Sequence, residues 1–343
     1  MGYPLRENFP STNCTDGSTE ISKNFFFSGL DSNVILLVSF TMNMDSKAIE
    51  AIARGVVGWP EHREWNTRDK NRRFIALFGV PSEIVADLWN RISDQAPLAD
   101  GSQPKHLLWS LVHLKVYGTE EVNCALVGWP SAKTFSKWAW YFVKRIADLK
   151  DDVFDLEDRF EGLGDVAETN CFITVDGTDC PAFDHRPLDE AMYSAKLAGP
   201  GLKYEVAICI ITGKMVWING PFKASVHDLT IFREGLLTYL FPEEAVEVDK
   251  GYRGPDSAKT PDVGAINERK MKSDARSQHE AMNGRLKQFH VLTTHFRHMK
   301  PNVEGMMEKH GLCFFAVAVI TQLKYLAGDR VFNNGVVYDV DYF

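Results

Sequence analysis

Near residue 170 the hydrophobic pattern of this chain changes period, and that change limits what it can fold into. From about 46 to 147 apolar residues recur at helical spacing. RRFIALFGVPSEIVADLWNRI carries Phe74, Leu77 and Phe78, a Gly79–Pro81 break, then Ile84, Val85, Leu88 and Trp89, which predicts helix, tight turn, helix. HLLWSLVHLKVYG, TEEVNCALVGW and PSAKTFSKWAWYFVKRIADL form a second such unit, with Pro130 and Ser131 as a helix start. From Cys171 the runs become short and β-branched. Phe172–Asp176 predicts a strand, and KYEVAICIIT and KMVWING flank Gly213 as a hairpin. HDLTIFREGLLTYL predicts one amphipathic helix with Leu229, Phe232, Leu236 and Leu240 on a face, EAVEVD another strand, and 274–289 and 303–327 two helices. That order predicts a mixed α/β fold, a mixed sheet flanked by helices, behind an all-α, helix-turn-helix-like region.

The expected organisation is a poorly ordered leader over 1–45, a helical region over 46–147, an acidic connection over 148–168, an α/β domain over 169–327 and a tail over 328–343. The connection holds nine acidic residues from Asp148 to Glu168 against Lys150 and Arg159, which reads as a solvated link. A net charge of −8 argues against a chain that engages nucleic acid over a broad surface, unless its positive charge is local. Six cysteines without a CxxC pair read as reduced thiols rather than a disulfide framework or zinc site. The apolar runs Val34–Phe40 and Leu312–Ile320 fall well short of the ~20 residues a membrane span needs, and no secretory signal is read at the N-terminus.

Three acidic residues stand in distinctive settings. Asp176 ends the run CFITVD, Asp249 ends EAVEVD, and Glu280 lies in the helical SQHEAMNGRLKQF. Carboxylates at strand ends, closed from the side by one on a helix, form an oxygen site for a hard cation. Each also has a plain structural explanation. Asp-Gly at 176–177 is a common turn pair, Asp249 is a turn former after a strand, and Ser277 with Glu280 has capping-box spacing. Glu247 shares a strand face with Asp249 by alternation and competes for the same role. Asp228 stands at a helix N-terminus, where the dipole alone favours aspartate. His227 beside it is open to either a ligand or a surface role.

Positive charge is indeed local. Between Arg269 and Lys300 eight Lys/Arg face only Asp274 and Glu280, with four histidines interleaved. A second cluster, Arg63, Arg68, Lys70, Arg72 and Arg73, precedes the first helical pair. Such surfaces let phosphates approach carboxylates, and they also describe ordinary solvated helix faces.

Taken in order, the helical unit around GWPSAKTFSKW, then TVDGTD, YSAKLAGPGLKYEV, GKMVWINGPFKASVHDLTIFR, DKGYRG and RSQHEAMNGRLKQF resemble the DDE transposases of the PIF/Harbinger family and the Harbinger-derived nucleases. The resemblance covers roughly residues 70–326. It implies a ribonuclease H-like fold and a nuclease that uses Mg²⁺ or Mn²⁺ to cut and join DNA at transposon ends. Asp176, Asp249 and Glu280 match its catalytic acids, and Asp228 a further acidic position counted with the metal ligands. Asp179 stands where the family often has His after DGT. The resemblance further implies a nuclear protein, a separate Myb-like DNA-binding partner and a dimer. A non-catalytic DNA- or protein-binding module on the same fold is the competing expectation. A glycoside hydrolase with paired carboxylates is a distant third, disfavoured by the basic stretch beside Glu280.

Overall fold

The computed structural model describes residues 43–59, 67–162, 170–183, 187, 189–248, 252, 258–259, 266–298 and 302–329. Most of the expected leader, most of the tail, part of the acidic connection, and Arg63, Asp249 and Lys300 lie outside these residues.

Helices α1 (Ser46–Val57), α2 (Thr67–Phe78), α3 (Ser82–Gln95), α4 (Pro104–Val116), α5 (Glu120–Leu126) and α6 (Ala132–Ala147) make up the first part, followed by the short α7 (Lys150–Val153). Their ends obey local chemistry. Asp45 caps α1 by accepting from the Ala48 amide at 2.7 Å, and Ser131 caps α6 through the Thr134 amide at 3.1 Å. Gly79, at φ +84°, turns the chain between α2 and α3 where a side chain would be strained. The helix, tight turn and helix expected over 72–92 are present as α2 and α3, and the helical segments expected over 106–149 as α4, α5 and α6.

Then come β1 (Cys171–Pro181), β2 (Tyr193–Ser194), β3 (Gly199–Cys209), β4 (Met215–Lys223), α8 (Asp228–Glu234), β5 (Ala245–Val248), β6 (Ala258–Lys259), α9 (Ile266–Leu286) and α10 (Val303–Leu326). The sheet runs β2-β3-β1-β5-β6, with β4 also on β3. β1 is antiparallel to β3 and parallel to β5, so the sheet is mixed. The β3–β4 hairpin turns at Gly213, φ +73°, as the sequence indicates.

Alternation along β1 and β3 sorts side chains to two faces. Ile173, Val175, Ala207 and Cys209 meet Phe232, Leu236, Val246 and Tyr252 in one apolar cluster. Cys180, Leu202, Tyr204, Val206 and Ile208 face the other way and join the larger cluster, which runs on through α10 into α4 and α6. Tyr204 stacks on Phe314 of α10 at 3.7 Å and 1°, an arrangement adding about 0.5–1.5 kcal/mol beyond burial. The helical part and the sheet therefore share one core.

Two elements differ from expectation. The strand containing Asp176 does not stop there but continues to Pro181, because every residue from Ile173 to Pro181 finds a partner on β3. Pairing along the whole strand overrides the local turn preference of Asp-Gly. HDLTIFREGLLTYL is not one helix: α8 ends at Gly235 (φ −113°, ψ −106°), and a 3-10 turn over Leu236–Tyr239 follows. A Cβ at residue 235 would stand 2.5 Å from Asn219 Nδ2. Phe232 and Leu236 are still buried as expected.

The acidic stretch is partly built into the fold. Arg159 is 1% exposed and pairs with the equally buried Glu244, Nε to Oε1 at 2.9 Å. Cys124, Cys180, Cys209 and Cys313 are buried free thiols, and Cys171 is half-buried. No described helix is long and apolar enough to cross a membrane.

Candidate active site

Asp176 lies in the middle of β1, opposite Val206, on the face covered by α9 and α10. Its Oδ1 accepts from the Gly177 amide at 2.8 Å, and its Oδ2 receives a long hydrogen bond from Asn283 Nδ2 of α9 at 3.4 Å. His279, one turn earlier on α9 and 2% exposed, donates from Nε2 to the Val206 carbonyl at 3.0 Å. Burial lowers the pKa of this imidazole, and Asp176 pulls against that shift. These two contacts fix α9 against the β1–β3 pair beside Asp176.

Asp228 reaches the same place from the opposite face. It is the first residue of α8, behind His227, whose Nδ1 caps the helix by accepting from the Leu229 amide at 3.2 Å. His227 thus has a structural role. A Cβ at residue 177 would stand 2.9 Å from Asp228 Oδ1. Gly177 is therefore the gap through which Asp228 closes on the strand that carries Asp176.

The Asp228 carboxylate already meets one cation. Lys203 of β3, 8% exposed, places Nζ 2.9 Å from Asp228 Oδ1 and donates to the Val226 carbonyl at 2.8 Å. The approach to Oδ1 has ion-pair distance without hydrogen-bond direction, so that buried oxygen keeps an unfilled lone pair. Glu205, opposite Gly177 and 1% exposed, accepts from Trp217 Nε1 at 3.3 Å. Burial pushes its pKa up to about 8; the indole hydrogen bond opposes this, and the charge of Asp228 adds to it.

Glu280 takes a more open position. Its side chain is 67% exposed and pairs with Arg276 at 3.3 Å. It stands three residues before Asn283, on the same side of α9. The capping explanation for Glu280 fails: α9 begins at Ile266, so Ser277 and Glu280 are in mid-helix. Of the basic residues expected to meet phosphate, Arg285 is engaged elsewhere, with Nη2 3.0 Å from Asp329 Oδ1, whereas Lys287 is exposed.

Asp249 lies outside the described residues. Its neighbour Val248 pairs in parallel with Val175, which precedes Asp176. Glu247 pairs with Thr174 and is 5% exposed. Asp179 turns to the Lys203 face, where its Oδ2 accepts from Ser194 Oγ. Asp176 and Asp228 both stand beside Gly177, on opposite faces of β1. Among the described residues no three His, Cys, Asp or Glu side chains gather tightly enough to hold a metal ion.

Sequence reasoning did not single out Gly177, Lys203, Glu205 or Asn283. The one available signal was a glycine next to an acid in an otherwise β-branched strand, which often marks a close approach.

Residues 175–322 match the family described as DDE superfamily endonuclease. The match covers somewhat less than half the chain, includes Asp176, Asp228 and Glu280, and supports the superfamily rather than any one branch of it. The mixed sheet flanked by helices is consistent with the ribonuclease H-like fold of DDE nucleases. No curated protein and no solved structure matches the chain.

Proposed function

We propose that this chain is a divalent-metal-dependent DNA endonuclease of the transposase kind, cutting and joining phosphodiesters at element ends. The observation that carries the reading is the approach of Asp176 and Asp228 to Gly177 from opposite faces of β1, within the segment that matches the endonuclease family. The donor set fits Mg²⁺ or Mn²⁺: it is all oxygen, one buried Asp228 oxygen has an unfilled lone pair, and a lysine ammonium stands beside it. Asp176, Asp228 and Asp249 would hold the ion, with Glu280 closing the set from α9. When bound, such an ion supplies Lewis-acid stabilisation of charge developing on the phosphodiester.

The chain's own residues supply the rest. Asn283 and the Gly177 amide orient the two oxygens of Asp176. Lys203 holds Asp228 against β1 until a stronger cation competes for it. Lys287 and Arg276 offer exposed charge to phosphates, positioning DNA without reading its bases. A Myb-like partner that brings the protein to DNA and to the nucleus, and a dimeric assembly, belong to the same proposal and rest on the resemblance alone.

The test is nicking of supercoiled plasmid in Mn²⁺ by purified wild type and Asp249→Asn. Cutting by the wild type alone supports the reading. Equal cutting by Asp249→Asn removes that residue from the site. A wild type that binds DNA but never cuts favours the non-catalytic binding module.

A further inference from the structure

A concavity lies between the helical region and the segment that follows α9. It has a volume of about 260 Å³, and its lining includes His113 of α4, Phe135 and Trp140 of α6, Thr119 at the start of α5, and Arg297 and His298. Four of its eleven lining residues are rings, and the exposed Glu120 stands among the others. His113 and His298 stand 5.0 Å apart, and each is 5.1 Å from Trp140. Phe135 is 1% exposed. His113 is 3% exposed, and its Nε2 has no hydrogen-bond partner. A buried polar atom left in this state costs free energy unless something else satisfies it.

The electrostatics separate wall from rim. Burial lowers the His113 pKa to about 3 and that of His298 to about 4, with further help from Lys309 and Arg297. Both imidazoles are therefore neutral near pH 7, each with one donor and one acceptor nitrogen. Fixed positive charge stands beside them. Arg297 is exposed and anchored to the Tyr117 and Gly118 carbonyls. Lys309 places Nζ over the Trp140 ring at 5.1 Å.

We propose that this cavity takes one unpaired nucleobase of a bound DNA strand. A base extruded from its stack needs an aromatic and apolar slot, mixed donors and acceptors for its edge, and cations for its flanking phosphates. All three are present. A divalent cation fits less well: the lining offers two imidazoles and the exposed Glu120, and no three His, Cys, Asp or Glu of the described residues gather tightly enough to hold one. The position also suits the role. Phe296 bridges to Ala182, and His295 Nδ1 lies 3.2 Å from the Ala182 carbonyl, so the segment bearing Arg297 and His298 is stitched to the far end of β1. Asp176 lies six residues back along that strand, roughly 20 Å at ~3.3 Å per residue. At ~3.4 Å per nucleotide step, the captured base is several nucleotides from the cut. The inference rests on the endonuclease reading for its DNA, and its test needs no cutting.

The experiment is fluorescence anisotropy in EDTA, with the full chain and a set of single-stranded 20-nucleotide probes (a length of about this order covers an ordinary site). Each probe carries an abasic position at a different place. The wild type is expected to lose about tenfold in affinity at one position and little elsewhere. His298→Ala, and Ser136→Trp, which fills the cavity from half-buried Ser136 on α6, should bind every probe with that weakened affinity. A flat scan in the wild type, pocket variants that bind like the wild type, or no oligonucleotide binding at all overturns the proposal; the first of these leaves the cavity to a partner's side chain. If Ser136→Trp melts early, His298→Ala decides. A position-specific scan from a wild type that never nicks plasmid would uphold the pocket and reject the nuclease.

Discussion

Gly177 and Asp228 occupy one small volume: a methyl group on residue 177 would stand 2.9 Å from the Asp228 Oδ1 atom. The glycine is not required by its backbone, which has no positive φ. It is required by what lies above it. Gly177→Ala should therefore separate folding from chemistry. In a strand the alanine gains about 0.5–1 kcal/mol of backbone entropy, offset by displacement of a flexible carboxylate end. The expected outcome is a melting temperature within a few degrees of wild type and a large loss of Mn²⁺-dependent nicking. Unchanged nicking would show that the position of Asp228 does not matter.

Glu280→Gln should cost little stability. Its pairing with Arg276 is an exposed i,i+4 contact, worth about 0.3–0.5 kcal/mol. Denaturant midpoints should be nearly superimposable while nicking is lost. Survival of both would return Glu280 to an ordinary surface role.

How much of this was legible in the sequence can be judged from the same residues. The period change near 170, the hairpin at Gly213 and the helix–turn–helix at Gly79 were readable, because each depends on local patterning and a turn residue. The extent of β1 was not, because Asp-Gly is a turn signal that only pairing with β3 overrides. The break at Gly235 was hidden for a similar reason, since Asn219 comes from a distant strand. Asp176 and Asp228 were readable as candidates, but not their approach from opposite faces of one strand. Lys203 and Glu205 looked like alternating strand residues and were legible only once β3 was placed beside Gly177.

Glu205 gives stability a pH dependence in metal-free buffer. Its folded pKa is raised to about 8 against 4.5 for the ordinary carboxyl, so the folded state binds the extra proton between those values. Its contribution to stability is complete below pH ~4.5 and is lost as pH rises through about 8, at no more than about 1.4 kcal/mol per pH unit. Glu205→Gln, which cannot ionise, should flatten that part of the curve in urea titrations from pH 5 to 9. A wild type and variant with parallel curves would contradict the buried, protonated carboxyl.

Arg159→Met should leave the Glu244 carboxylate buried without its partner and cost about 3–5 kcal/mol. The double change Arg159→Met with Glu244→Leu should recover most of that loss. Thermal melts of the three variants check the order, and an additive double variant would mean that the two side chains act independently.

The most direct test of the account is calorimetric titration of Mn²⁺ into the wild type, Asp176→Asn and Asp228→Asn, each confirmed folded. Saturable binding by the wild type is expected at millimolar metal or below, weakened at least tenfold by either substitution. No binding by the wild type, or equal binding by all three proteins, would contradict a metal site built around Gly177.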